Sequence, residues 1–191
     1  VDPSDAAPVE TRLKGMQLAL TGILITHHHL DHTGGLEQLR ARHNPVVYGP
    51  ANPAVAGIDH RVAAGDAVQV LGKTFTVMEV PGHTLDHIAY FCDDDTPLLF
   101  CGDTLFAGGC GRVFEGTPPM MHESLESLAG LPGNTRVYCA HEYTLANLAF
   151  ARAVEPDNAE LRQRLADAEA LRARNEPTVP SDIALELKTN P

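Results

Sequence analysis

Thr26-His27-His28-His29-Leu30-Asp31-His32 packs four imidazoles and a carboxylate into seven residues. The run Leu18-Ala19-Leu20-Thr21-Gly22-Ile23-Leu24-Ile25 leads into it, and Thr33-Gly34-Gly35 follows. The run is apolar and β-branched towards its end, the pattern of a buried strand over Leu18 to Thr26. Imidazole and carboxylate at this density, delivered at a strand end, point to a transition-metal site.

Further polar residues stand at the ends of later predicted strands. Ala67 to Leu71 and Thr74 to Val80 read as a hairpin around Gly72-Lys73, and its second strand runs into Pro81-Gly82-His83-Thr84. Ile88 to Cys92 and Leu98 to Cys101 read as strands, the latter ending in Gly102-Asp103-Thr104. Arg136 to Cys139 ends near His141. Loops at one edge of a sheet build sites on a rigid scaffold. His27, His29, Asp31, His32, His83, Asp103 and His141 are therefore expected to meet.

Residues two apart in an extended segment point the same way, so His27 and His29 are expected to grip one ion together. A turn after Leu30 lets Asp31 and His32 face a second. Seven ligands exceed one tetrahedral ion and suit two ions sharing a bridge. The expected grouping is His27, His29 and His83 on one ion and Asp31, His32 and His141 on the other. Asp103 is the bridge, having two oxygens to give. Ions roughly 3.5–4 Å apart would hold a hydroxide between them. Zinc is the first expectation, and imidazole and carboxylate also suit iron and manganese. His43, His60 and His122 are read as ordinary surface or core residues and His28 as a spacer. His87, four residues after His83, is read either as a hydrogen-bonding support or as packing.

The remaining segments read as helices at Pro8 to Lys14, Leu36 to His43 and behind the Thr117 cap. Val46-Val47-Tyr48 reads as a strand, Asn52 to His60 as a loop, and Gly108-Gly109-Cys110-Gly111 as a glycine-rich loop. From Thr144 onward only helical patterns appear: Leu145 to Val154, one capped by Asp157, and one capped by Ser181. A boundary is expected near Glu142 to Thr144, between a mixed α/β domain over residues 1–142 and a helical appendage over residues 143–191. The 191 residues carry 14 Lys+Arg against 25 Asp+Glu, without a basic stripe, so nucleic acid is not an expected partner. No apolar run approaches the roughly 20 residues of a membrane span. Cys92, Cys101, Cys110 and Cys139 form no C-x-x-C pair and read as small buried hydrophobes, and no secretory signal is seen. A reducing, cytoplasmic compartment and a monomer are expected.

Thr26-His27-x-His29-x-Asp31-His32 with His83, Asp103 and His141 resembles the metallo-β-lactamase superfamily. Pro81-Gly82-His83-Thr84, Gly102-Asp103-Thr104-Leu105-Phe106, Gly109 to Gly116, Val137 to Thr144, Asn147-Leu148-x-Phe150-Ala151 and Glu176 to Ser181 resemble its glyoxalase II (hydroxyacylglutathione hydrolase) branch. The resemblance implies an αββα sandwich with a helical C-terminal part, two metal ions on the seven residues above, and hydrolysis of S-D-lactoylglutathione to D-lactate and glutathione. It implies catalytic roles for Asp31 and Asp103. Substrate contacts carry over to Arg112, Val113, Phe114, Glu142, Tyr143 and Thr144. It further implies that the family's opening strands precede Val1 and its last helices follow Pro191. The branch usually has Lys, an aromatic residue and Tyr where this chain has Arg112, Val113 and Phe114, and a glycine is common where Asp86 stands. The alternatives are another enzyme of the superfamily, a lactonase or an iron persulfide dioxygenase, and an inactive, truncated metal-binding fold.

Overall fold

Alternation along the strands sorts apolar residues into three layers of core. The computed structural model describes residues 1–191. Helix α1 (Ala6–Met16) precedes β1 (Gly22–Leu24), followed by the single turn α2 (Leu30–Thr33), α3 (Leu36–His43), β2 (Val46–Pro50) and β3 (His60–Val62). Strands β1, β2 and β3 form a parallel three-stranded sheet. Next come β4 (Ala67–Val70), β5 (Lys73–Glu79), β6 (Ile88–Cys92), β7 (Leu98–Gly102), the small hairpin β8 (Leu105–Phe106) and β9 (Gly109–Cys110), α4 (Pro118–Ala129) and β10 (Arg136–Cys139). The chain ends with α5 (Thr144–Val154), α6 (Ala159–Ala173), β11 (Ser181–Asp182) and α7 (Ile183–Thr189). The second sheet has six strands in the order β11-β10-β7-β6-β5-β4.

Ile23, Ile25 and Val47 face Ala6 of α1 and Leu36 and Leu39 of α3. Leu24 and Val62 point the other way, onto Phe75, Val77, Ile88 and Tyr90 of the second sheet. Ala89, Leu99, Cys101 and Val137 occupy that sheet's opposite face, under Leu128 of α4 and Ile183 of α7. The order is therefore helix, sheet, sheet, helix: the expected αββα sandwich. Full burial of each Val, Leu, Ile or Phe here contributes about 1.5–3 kcal/mol.

Several boundaries differ from expectation for local reasons. The first strand is confined to Gly22–Leu24, and the polar segment 26–29 leaves the sheet. Asn158 and Asp182, one residue beyond the expected Asp157 and Ser181, accept the N-cap hydrogen bonds of α6 and α7. The β4–β5 turn is Leu71-Gly72, both at positive φ, a two-residue reversal of the primed kind. The glycine-rich loop supplies β9, which pairs with β8 in the small hairpin. Residues 143–191 do not stand apart as a helical block. Helices α5 and α6 pack on each other through Leu148, Ala151, Leu161 and Ala168, but β11 pairs with β10 and α7 joins the outer layer.

Candidate metal centre

Each candidate ligand hangs from the end of a rigid element. Strand β1 releases the chain into Thr26–His29, and α2 lifts Asp31 and His32 from its single turn. His83 follows β5, and His141 follows β10. Beyond β7 the chain turns at Gly102, whose φ of +48° and close neighbours, Thr26 and His87, leave no room for a Cβ, and this turn presents Asp103.

The structure brings all seven predicted residues together. The ligand atoms of His27, His29 and His83 lie within 4.8 Å of one another, as do those of Asp31, His32 and His141, and those of His27, His32 and Asp103. Asp103 sits between the two triads. Its Oδ2 is 3.5 Å from His83 Nε2 and 3.4 Å from His141 Nε2, and its Oδ1 is 3.3 Å from His32 Nε2.

Hydrogen bonds set which imidazole nitrogen faces inward. Thr26 Oγ1 donates its proton to Asp2 Oδ2 at 2.8 Å, so it accepts from His27 Nδ1 at 3.0 Å. His83 Nδ1 donates to the Arg112 carbonyl at 2.8 Å, and His32 Nδ1 donates to Asp2 Oδ2 at 3.1 Å. In all three the remaining Nε2 points to the centre, the arrangement that orients metal-binding histidines. His27 Nε2, His32 Nε2 and Asp103 Oδ1 are buried without a hydrogen-bond partner. Such orphans are costly, and a cation among them removes the cost. The donor set thus fits divalent ions.

Burial and neighbouring charge shape the titration of the cluster. Burial, reinforced by the surrounding imidazoles, pushes His27 far below its ordinary 6.5. Burial also lowers His83, and takes His87 down to about 4. Burial acts downward on His32 too, but the carboxylates of Asp103, 3.3 Å from its Nε2, and of Asp2, hydrogen-bonded to its Nδ1, overcome it and raise His32 to about 10. Burial pushes the Asp103 carboxyl up, and the nearby imidazoles, His32 first, more than offset that, leaving it below the usual carboxylate range. In the metal-free protein the His32 proton stands where a cation would, so loading releases protons.

The signs give a stability profile. His27, His83 and His87 refuse a proton in the fold but accept one near 6.5 when unfolded. Their contribution is present above that pH and falls by about 1.4 kcal/mol per pH unit for each group as the solution is acidified. His32 has the opposite sign. Its contribution is complete below 6.5 and is lost as pH rises through about 10. Denaturant unfolding of the chelator-treated protein at about pH 5, 6.5 and 9 is expected to give the highest stability at the middle value. Higher stability at pH 5 contradicts this account.

Three residues of importance carried no clear signal in the sequence. Asp2 accepts from the Thr26 backbone N–H, the Thr26 hydroxyl and His32, partners 24 to 30 residues away. His87 Nε2 accepts the Asp103 backbone N–H at 3.0 Å, which resolves its earlier ambiguity as hydrogen-bonding support. His28 turns away from the triads and lies between Asp86 at 2.9 Å and Glu115 at 3.2 Å. Asp86 also accepts from Thr84 and Asn52, so it ties three loops together. His43 meets Glu10 and His60 stacks on Tyr48, in keeping with ordinary roles.

A cleft of about 1190 Å³ opens over the triads. Arg112, Phe114 and Tyr143 line it together with Phe106, Asn147 and Phe150. Phe114 packs edge-on against His29 and His83, and Tyr143 stacks on His141 at 5.2 Å. Val113, Glu142 and Thr144 do not line the cleft. Glu142 instead pairs with Arg172 and accepts from Thr178, and Thr144 is buried at the start of α5. Cys110 is exposed and lines the cleft, unlike the buried role expected of it. Residues 1–141 match the family model described as metallo-beta-lactamase superfamily, and residues 142–191 the one described as hydroxyacylglutathione hydrolase C-terminus. A hydroxyacylglutathione hydrolase of Pseudomonas aeruginosa (strain LESB58) is 58% identical over 100% of this chain and 74% of its own length.

The chain belongs to the hydroxyacylglutathione hydrolase family of the metallo-β-lactamase superfamily.

A family member from Dechloromonas aromatica (strain RCB) is 54% identical over 100% of this chain and 71% of its own length. Among solved structures, ETHE1 from Myxococcus xanthus aligns with a TM-score of 0.73 and 29% identity, covering 100% of this chain and 71% of that one. TTHA1623, solved in a di-iron-bound form, shares the fold with a TM-score of 0.71 at 23% identity, over 100% of this chain and 86% of that one. No helix is long and apolar enough to cross a membrane. Set in the hydroxyacylglutathione hydrolase fold, the two triads lie on the floor of the cleft and the aromatic side chains form its walls.

Proposed function

We propose that this chain hydrolyses S-D-lactoylglutathione to D-lactate and glutathione, the second step of methylglyoxal detoxification. The observation that carries the reading is a single cleft joining residues of both triads, with Asp103, to Arg112, Phe114 and Tyr143. Two divalent ions would be held by His27, His29 and His83 on one side and by Asp31, His32 and His141 on the other, with Asp103 within reach of both groups, and would supply charge for a developing oxyanion and acidify a bound water. Zinc is the first candidate, and iron and manganese suit the same donors.

The protein's own groups do the positioning. Arg112 offers the glutathione moiety a cation with a planar fork suited to a carboxylate. Phe114 and Phe106 keep water from the acyl group and hold the thioester over the floor by packing. Asp31 is mostly exposed and lies 3.3 Å from His141, placed to hold the proton that leaves the attacking water. The acyl carbon gains that oxygen, the carbon–sulfur bond breaks, and the thiolate departs as a good leaving group that needs little acid assistance. A monomer is the proposed state, and four cysteines without a disulfide suit the reducing cytoplasm where glutathione is abundant.

Metal analysis together with an assay on S-D-lactoylglutathione tests the reading. Two metals per chain and thioester turnover are expected. A single iron with oxygen consumption on glutathione persulfide, or full metal content without thioester turnover, overturns it. Two substitutions probe the substrate end. Arg112→Ala is expected to raise KM about 10- to 100-fold with kcat little changed, as loss of a charge-assisted hydrogen bond does. Phe114→Tyr restores a hydroxyl and is expected to lower KM about 2- to 10-fold. Unchanged KM in both variants means that substrate lies elsewhere in the cleft.

A further inference from the structure

We infer that Glu186 on α7 is a positioning residue for the substrate cleft, holding the β8–β9 hairpin in place from the outer layer of the sandwich. Glu186 is only 5% exposed, yet it does not rest in an isolated ion pair. Its Oε2 accepts the Gly108 backbone N–H at 2.9 Å, Arg164 Nη1 at 3.1 Å and Asn190 Nδ2 at 3.2 Å. Its Oε1 accepts from Arg164 Nη2 and from the Ser181 hydroxyl. Asn190 extends the grip, donating to the carbonyls of Gly109 at 3.0 Å and Phe106 at 3.4 Å.

The hairpin is too short to hold this geometry alone. Besides the Glu186 and Asn190 grip, Asn147 of α5 donates to the Ala107 carbonyl and the Cys101 thiol to the Leu105 carbonyl, each at 3.2 Å, but only Glu186 accepts the Gly108 N–H. Two residues per strand are too few for an independent ladder. Gly108 sits at φ +72° in close contact with Leu148 of α5, where a Cβ would lie 2.7 Å from Leu148 Cδ2. What the hairpin carries is functional. It begins two residues after Asp103, places the Phe106 ring 5.5 Å from Tyr143, and leads directly into Gly111 and Arg112. Arg112 in turn accepts from His83 through its carbonyl.

A buried ion pair is weak evidence for stability, because an apolar pair of similar volume often serves as well. An apolar side chain at 186, however, cannot accept the Gly108 N–H. The chemistry required there is an acceptor, and Arg164 with Ser181 is what allows that acceptor to be a buried carboxylate. Helix α6 thereby acts on the cleft through α7, without touching substrate.

The inference rests on the thioesterase reading for its kinetic consequence, but its structural consequence is measured separately. The metal-loaded chain is compared with Glu186→Ala, Glu186→Gln and the double variant Arg164→Met with Glu186→Gln. In the double variant the amide oxygen is free to face Gly108 while its NH₂ finds the Ser181 hydroxyl. Glu186→Ala is expected to keep its metal content and to raise KM for S-D-lactoylglutathione about tenfold, with kcat within about twofold. Hydrogen exchange of the Gly111 amide, which donates to the Thr104 carbonyl at 3.2 Å across the base of the hairpin, is expected to speed up about fivefold or more when mapped by peptide mass, with the β6 and β7 amides still protected. The double variant is expected to recover most of both effects. A Glu186→Ala protein with lowered Tm but parental KM and parental exchange of the Gly111 amide makes Glu186 merely structural and overturns the inference. Absence of thioester turnover in the parent fails the thioesterase reading alone, and exchange of the Gly111 amide then still decides the positioning role.

Discussion

Asp103→Ala is expected to bind no more than one ion per chain and to lose turnover on the order of a thousandfold or more. Asp103 is the sole carboxylate whose oxygens reach histidines of both triads, at 3.3 to 3.5 Å. Its removal separates two half-sites and takes away one of the two carboxylates, the other being Asp2, that raise the His32 pKa in the metal-free protein. Metal content by mass spectrometry and the thioester assay give two independent readings. A variant that retains two ions and the parental rate removes Asp103 from the centre. Its fold is expected to survive, because Gly102, His87 and the β7 ladder remain to set the backbone.

Asp2→Ala is expected to destabilise the protein by about 3–5 kcal/mol and to weaken metal binding about 10- to 100-fold. One substitution leaves the Thr26 N–H, the Thr26 hydroxyl and His32 Nδ1 without their acceptor. The Thr26 hydroxyl is then free to rotate, so the His27 tautomer is no longer fixed. Denaturant unfolding and a metal titration with a competing chelator measure the two parts. Asp2→Asn retains an acceptor oxygen and is expected to fall between the two proteins. An Asp2→Ala protein with parental stability means that the 2-to-32 network is dispensable.

These two carboxylates mark where sequence reading succeeds and where it ends. Asp103 was legible because it stands at a strand end, as His27, His83 and His141 do, and strand ends at one sheet edge converge. Asp2 stands before Pro3 in no periodic pattern, and its meaning depends on chain pairing with Leu24, a tertiary fact. The αββα order was legible from resemblance, and the alternation of Ile23 with Leu24 and of Ile88 with Ala89 explains it physically. Segment ends were less legible. Asn158 and Asp182 outcompete neighbouring cap candidates because of where the chain enters each helix, which packing decides. The return of residues 181–191 to the sandwich was hidden because a two-residue strand has no period to detect. Glu142 and Thr144 lie in the matching motif, yet the structure turns them to Arg172 and Thr178. A motif specifies which residues travel together along the chain, and backbone direction decides which of them reaches the cleft.

The contact between Gly111 and Asp103 limits how this catalyst can diversify. A Cβ on Gly111 would lie 1.8 Å from the Asp103 carbonyl oxygen. The peptide carrying the shared carboxylate and the peptide leading to Arg112 are thus sterically one piece, although seven residues separate them in sequence. Lengthening or shortening the segment between them shifts the floor of the cleft along with its wall. New acyl or thiol preferences are therefore accessible by exchanging side chains such as Phe114 or Phe150 at constant loop length, a constraint that library design on this scaffold can adopt directly.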